Sequence, residues 1–126
     1  MKRLLIVEHN RLFRSGLALL LEWRTGLSSV YASSLAEAQD VLDGASEKPI
    51  CTIVDLDLPN GDSTELLKQL NGLRVVALIR SQSLERRTKA LEEGADEVVE
   101  ISTTQPGEQI IAAVERLIGP RSISAF

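Results

Sequence analysis

Asp55 closes the apolar run Ile50-Cys51-Thr52-Ile53-Val54 and opens the turn Asp55-Leu56-Asp57-Leu58-Pro59-Asn60-Gly61. Glu8 and His9 close a second run, Leu4-Leu5-Ile6-Val7. Carboxylates at the carboxyl ends of buried strands lie where open α/β sheets place their ligands. Two such ends facing one crevice predict a site for a cation or a phosphate. Two plainer readings stand beside it. Asp favours turns for its own backbone geometry. A lone His at a strand end is more often solvated or hydrogen-bonded than a ligand, although imidazole beside Glu8 and Asp55 would suit zinc or copper.

Bringing these residues together requires strands that end at one edge. Short apolar runs predict buried parallel strands at Arg3–Val7, Ser29–Ala32, Ile50–Val54, Val75–Ile79 and Glu97–Glu100. Amphipathic stretches between them predict helices over Arg11–Trp23, Leu35–Leu42, Ser63–Leu70, Leu84–Glu93 and Gly107–Ile118. Asn10 and Ser34 stand where N-caps belong, with Glu37 completing a capping box after Ser34. Gly26, Gly44, Gly72 and Gly94 fall at helix stops, and Pro106 at the first turn of the last helix. Leu12, Leu17, Leu20 and Leu21 read as core packing, and Arg11, Arg14 and Arg24 as a solvated face. Alternation of this kind predicts an α/β fold, a doubly wound (βα)5 flavodoxin-like sheet of order 2-1-3-4-5. Strands 1 and 3 then adjoin at the switch point, with Glu8, His9 and Asp55 at one mouth. One domain over residues 1–119 is expected, with 120–126 as a tail or the start of a linker to an output domain.

Composition narrows the function. The 126 residues carry a formal charge of −4, which argues against direct nucleic-acid binding by this chain. Aromatics are 3% of residues, so aliphatic side chains must build the core. The single cysteine, Cys51, lies in an apolar strand and reads as a small core residue. No secretory signal or membrane-spanning run is visible, so a cytoplasmic protein is expected. No Gly-x-Gly-x-x-Gly follows strand 1, which excludes a dinucleotide fold of the usual kind.

The segments Leu5-Ile6-Val7-Glu8-His9-Asn10-Arg11-Leu12-Phe13-Arg14-Ser15-Gly16-Leu17, Ile53-Val54-Asp55-Leu56-Asp57-Leu58-Pro59-Asn60-Gly61 and Ala90-Leu91-Glu92-Glu93-Gly94-Ala95-Asp96 together resemble the bacterial response-regulator receiver domain. The resemblance runs from residue 3 to about 118. It is greatest to receivers that precede a helix-turn-helix DNA-binding output domain. It implies that Asp55 is the phosphoacceptor position, served by a histidine kinase. It further implies magnesium held by the strand-1 acids, Asp55 and the backbone carbonyl of Asp57. By that resemblance Glu8, Asp55 and Asp57 form the metal set.

Departures from the family pattern cluster at the site. His9 replaces the second strand-1 acid, and imidazole is a poor magnesium ligand. Ile79 stands where a Thr or Ser hydroxyl belongs, with Ser81 two places late. Ile101 stands in place of a Lys, Val98 in place of the rotating aromatic, and Ser63 in place of a Gly. Arg80, one residue past the hydroxyl position, is a possible substitute charge.

An atypical receiver is therefore expected, acting through protein contacts with weak or no phosphorylation, and not an enzyme. Its expected partners are a histidine kinase or an output domain, with a homodimer through helix 4, strand 5 and helix 5 also possible. Magnesium is doubtful as a cofactor. The alternative is a working phosphoacceptor modified on Asp55 and controlling a DNA-binding output. A phosphatase of the haloacid dehalogenase type shares Asp55-Leu56-Asp57, but the chain lacks the later acidic pair and room for a substrate cap.

Overall fold

The structure, a computed structural model, describes residues 2–58, 63–70, 72–80, 83–101 and 106–119. Its strands are β1 (Arg3–Val7), β2 (Ser28–Ala32), β3 (Cys51–Asp55), β4 (Val75–Ile79) and β5 (Glu97–Glu100). Its helices are α1 (Arg11–Thr25), α2 (Leu35–Gly44), α3 (Thr64–Gln69), α4 (Leu84–Glu92) and α5 (Pro106–Ile118). All five strands are parallel, in the order β2-β1-β3-β4-β5.

Residue type explains this order. The strands with the longest apolar runs, β1, β3 and β4, take the three central places, and every residue from Leu4 to Val7, Cys51 to Asp55 and Val75 to Ile79 is buried. The polar-ended Ser-Ser-Val-Tyr-Ala and Glu-Val-Val-Glu strands take the edges and stay partly exposed. A parallel strand covered on both faces needs apolar side chains of both parities.

Those parities feed two cores. Leu5, Val7, Val54, Val75, Ala77, Ile79 and Val98 pack with α2, α3 and α4. Leu4, Ile6, Cys51, Ile53, Val76, Leu78 and Val99 pack with α1 and α5. Cys51 is fully buried, and burial pushes its thiol pKa up to about 12. It is an inert core residue, as its strand position predicts.

Caps set the helix starts. Asn10 Oδ1 accepts from Phe13 N at 3.0 Å, and Ser34 Oγ accepts from Glu37 N at 3.1 Å. The return arm of the capping box differs from expectation. Glu37 Oε1 accepts from Ser33 N at 2.7 Å and from the Ser33 hydroxyl. Ser33 offers two donors in one place, its N–H and its hydroxyl. At the other end of a helix, Gly94 is required by its surroundings. Its φ is +124°, and a Cβ there would lie 3.2 Å from the Leu67 carbonyl oxygen.

Leu12 corrects the expected core. It is 86% exposed, while Leu17 and Leu21 are buried and Leu20 packs against the second core. Five residues before Leu17, it lies about 140° around the helix from that position. The arginines of α1 are also not simply solvated. Arg24 pairs with Glu108 and Glu115 of α5, and Arg14 reaches back to the end of β1. Among the described residues no helix is long and apolar enough to cross a membrane.

Candidate functional site

The period-2 alternation of a strand places Ile6 and Glu8, Ile53 and Asp55, and Leu78 and Arg80 on one parity. The register Val7↔Val54 carries Glu8 alongside Asp55 at the carboxyl edge of the sheet. Asp55 pairs with Leu78, so Arg80 extends two residues beyond it on the neighbouring strand. A long side chain at that place can fold back over the mouth, and it does.

Arg80 Nη2 lies 2.9 Å from Asp55 Oδ2 and 3.1 Å from Glu8 Oε1. Both carboxyl side chains are buried, at 1% and 0% exposure, while that of Arg80 is half exposed. Buried charge is tolerated when paired and hydrogen-bonded, and the other bonds here supply that. Asp55 Oδ1 accepts from Asp57 N at 2.8 Å, and Glu8 Oε1 accepts from Asn10 N at 3.1 Å. Asp57 Oδ2 accepts from Arg80 N at 3.0 Å, and Asp57 Oδ1 is ion-paired with Arg86 Nη1. Arg14 Nη1 donates to the Glu8 carbonyl at 2.8 Å, and Ser63 Oγ donates to the Asp55 carbonyl at 3.0 Å. The Ser63 hydroxyl thereby ties the start of α3 to the end of β3.

Glu8 Oε2 is buried with no partner. Burial first, then the hydrogen bond and charge of Asp55, push the Glu8 pKa up to about 7. The Asn10 N–H and the Arg80 charge pull the other way and do not prevail. For Arg80, burial pulls the pKa down but is outweighed by the hydrogen bond and charge of Asp55, with Glu8 and Asp57 adding to them; the net shift is upward.

A magnesium ion needs near-octahedral oxygen ligation. The oxygens of Glu8, Asp55 and Asp57 are chemically suitable, but a donor nitrogen already faces each of the three carboxyl groups. A dication on the same oxygens would lie roughly 4 Å from the guanidinium. At an effective dielectric of about 20 the repulsion is about 8 kcal/mol. Among the described residues no group of three or more His, Cys, Asp and Glu is arranged to hold a metal. With Arg80 in place, the donor set does not fit a divalent ion. His9 is exposed, whereas Glu8 and Asp55 are buried.

Ile79, read from the sequence as standing at the hydroxyl position, is 1% exposed and packs into the first core. Ile101, read as standing at the lysine position, is half-buried against the second core, and its N–H donates to the Ile79 carbonyl at 2.9 Å. Val98 and Val99 are both buried, one in each core. They are interior residues, 8% and 5% exposed. The edge of β5 is blunted by Arg87 Nη1, which donates to the Val98 carbonyl at 3.1 Å. Pro59, Asn60, Gly61 and Ser81 lie outside the described residues.

Arg86 was not singled out from the sequence, and Arg14 was read there only as part of a solvated face. Each has a local signal: Arg86 lies three residues past the cap Ser83, and Arg14 in the first turn after Glu8.

The family model described as response regulator receiver domain matches residues 4–115. The chain belongs to this family. It is 31% identical over 99 residues to the response regulator MprA of Mycobacterium tuberculosis, covering 75% of this chain and 42% of that protein. The chain thus spans less than half of that relative's length. A receiver protein from Burkholderia phymatum superposes with a TM-score of 0.81 at 21% identity, covering 98% of this chain and 99% of that one. A response regulator from Burkholderia pseudomallei, solved with a phosphorylated aspartic acid, calcium ion and citrate, superposes at 0.76 with 27% identity. The match covers 90% of this receiver and 66% of that chain. The five-stranded order and five helices are those of the flavodoxin-like receiver fold.

Proposed function

We propose that this receiver is atypical: a cytoplasmic signalling module, not an enzyme, that works through protein contacts with weak or no phosphoryl transfer to Asp55. Its partners are a histidine kinase or an output domain, and a DNA-binding output fits the relatives. The observation that carries the reading is the Arg80 guanidinium on Asp55 Oδ2. Phosphoryl transfer to Asp55 would make an O–P bond from a carboxylate oxygen and break the bond to the donor's leaving group. Both oxygens of Asp55 already accept hydrogen bonds, from Arg80 and from the Asp57 N–H. Ile79 and Ile101 supply neither hydroxyl nor ammonium to the equatorial oxygens.

The test is incubation with acetyl phosphate and magnesium, read by intact mass. An unmodified chain is the expected result. A phosphoryl adduct mapped to Asp55 would sink the reading.

One observation favours the alternative, a working phosphoacceptor. Arg80 already sets a positive charge on Asp55, which lowers the cost of bringing a phosphoryl anion there. The similar Burkholderia pseudomallei protein carries a phosphorylated aspartate. In that case Asp55→Asn alters output in cells that contain the cognate kinase; unchanged output counts against it.

A further inference from the structure

We infer that Arg80 is the resident cation of this site, a covalently tethered replacement for a divalent ion, and that the Glu8–Asp55–Asp57 cradle takes up such an ion only when the guanidinium is removed. This rests on the receiver reading of the site. It does not depend on whether Asp55 is phosphorylated.

Convergence is the first argument. Carboxyl groups from the end of β1, the end of β3 and the following turn all bond one residue. Nη2 takes Glu8 and Asp55, and the backbone N–H of Arg80 takes Asp57. A metal bound to the same three groups would join the same pieces of chain. Here β4 supplies the positive centre itself.

Spare capacity is the second. Glu8 Oε2 is buried and has no hydrogen-bond partner, so the carboxyl offers one oxygen more than the guanidinium uses. A guanidinium satisfies carboxylates through fixed planar N–H directions. A hard dication gathers oxygens from all sides. An unused buried oxygen is what remains when a planar cation sits among more oxygens than its N–H directions reach.

Tethering is the third. A cation on the chain is present at every metal concentration, and a free ion must displace it to bind. The link between β1, β3 and the β4–α4 junction is then independent of magnesium in solution. An ion-dependent receiver lacks that property.

The experiment titrates manganous chloride into the full chain and into Arg80→Ala, following free manganese by its electron paramagnetic resonance signal and thermal unfolding in parallel. The wild type is expected to leave the signal of free manganese unchanged and to show no shift in Tm. Arg80→Ala should bind close to one ion per chain, at least tenfold tighter than the wild type, with Tm rising as manganese is added. Arg80→Lys, which keeps a charge, should gain none. Arg80→Ala with Asp55→Asn should lose the gained ion, which locates it.

Equal binding by wild type and Arg80→Ala would overturn the inference, as would gained binding that survives Asp55→Asn. Arg80→Gln serves as a second variant with a longer stem. If both neutral variants are unfolded, recovery of structure with manganese supports the cradle, and failure to recover refutes it. No phosphodonor is present, so failure here is distinct from an adduct on Asp55.

Discussion

Asp57 and Arg86 are ion-paired across the mouth of the sheet, and the contact fastens the turn after β3 to the first turn of α4. A cation in the first turn of a helix opposes the helix dipole. Asp57 offsets that while also accepting from Arg80 N. The two arginines therefore converge on one acidic turn by different routes, one through its guanidinium and one through its backbone.

Removing Asp57 should cost more than removing Arg86. Arg86→Ala breaks a partly exposed pair and should cost about 0.5 kcal/mol. Asp57→Ala also strands Arg86 at the helix start and leaves Arg80 N without its acceptor, for about 1–2 kcal/mol in all. Urea unfolding of both variants gives the order; a larger loss for Arg86→Ala contradicts it.

Glu8 should make stability fall with rising pH. Its folded pKa of about 7 lies above the ordinary 4.5, so the folded state holds the proton more tightly. The contribution is fully present below pH 4.5 and is lost as pH rises to about 7. Glu8→Gln removes it, so the wild type minus Glu8→Gln difference in unfolding free energy should shrink between pH 4.5 and 7 and then level off. A difference that is flat over this window would mean that Glu8 is not protonated on folding.

Introducing a hydroxyl at position 79 should destabilise the chain without adding a phosphoryl group to it. Ile79 is buried in the first core, and Ile79→Thr deletes apolar volume and adds a polar group there. The loss should be about 1–3 kcal/mol, lowering Tm by roughly 3–10 °C. Arg80 still engages Asp55, so intact mass after acetyl phosphate treatment should not change. A new adduct would show that the hydroxyl alone limits the chemistry.

Gly94→Ala should be among the costly surface-loop changes. The backbone at φ +124° is nearly closed to L side chains, and the added methyl meets the Leu67 carbonyl at 3.2 Å. A loss of about 2 kcal/mol or more is expected by chemical denaturation. Retention of wild-type stability would mean that the α4–β5 turn relaxes freely.

Cys51 should be unreactive until the sheet opens. It is fully buried with its thiol pKa raised to about 12. Alkylation by iodoacetamide at pH 8 should follow the unfolding equilibrium, quickening in urea in step with loss of circular dichroism. Rapid labelling of the native chain would place β3 differently.

The sequence alone determined the strand and helix order, the two parities that fill two cores, and the meeting of Glu8 with Asp55. Those follow from local patterns: runs of buried aliphatics, caps such as Asn10, and a topology with few permitted solutions. Tertiary structure decided what occupies the mouth. Arg80 could be read as lying near the crevice, but the fold of a long side chain back over two neighbouring strands depends on register and strand length together. The same holds for Arg86, brought to Asp57 by the docking of α4, and for Leu12, whose exposure depends on which stripe of α1 meets the sheet. A strand's parity is written every second residue, whereas the partner of a flexible cation is chosen by distances that exist only after the sheet has assembled.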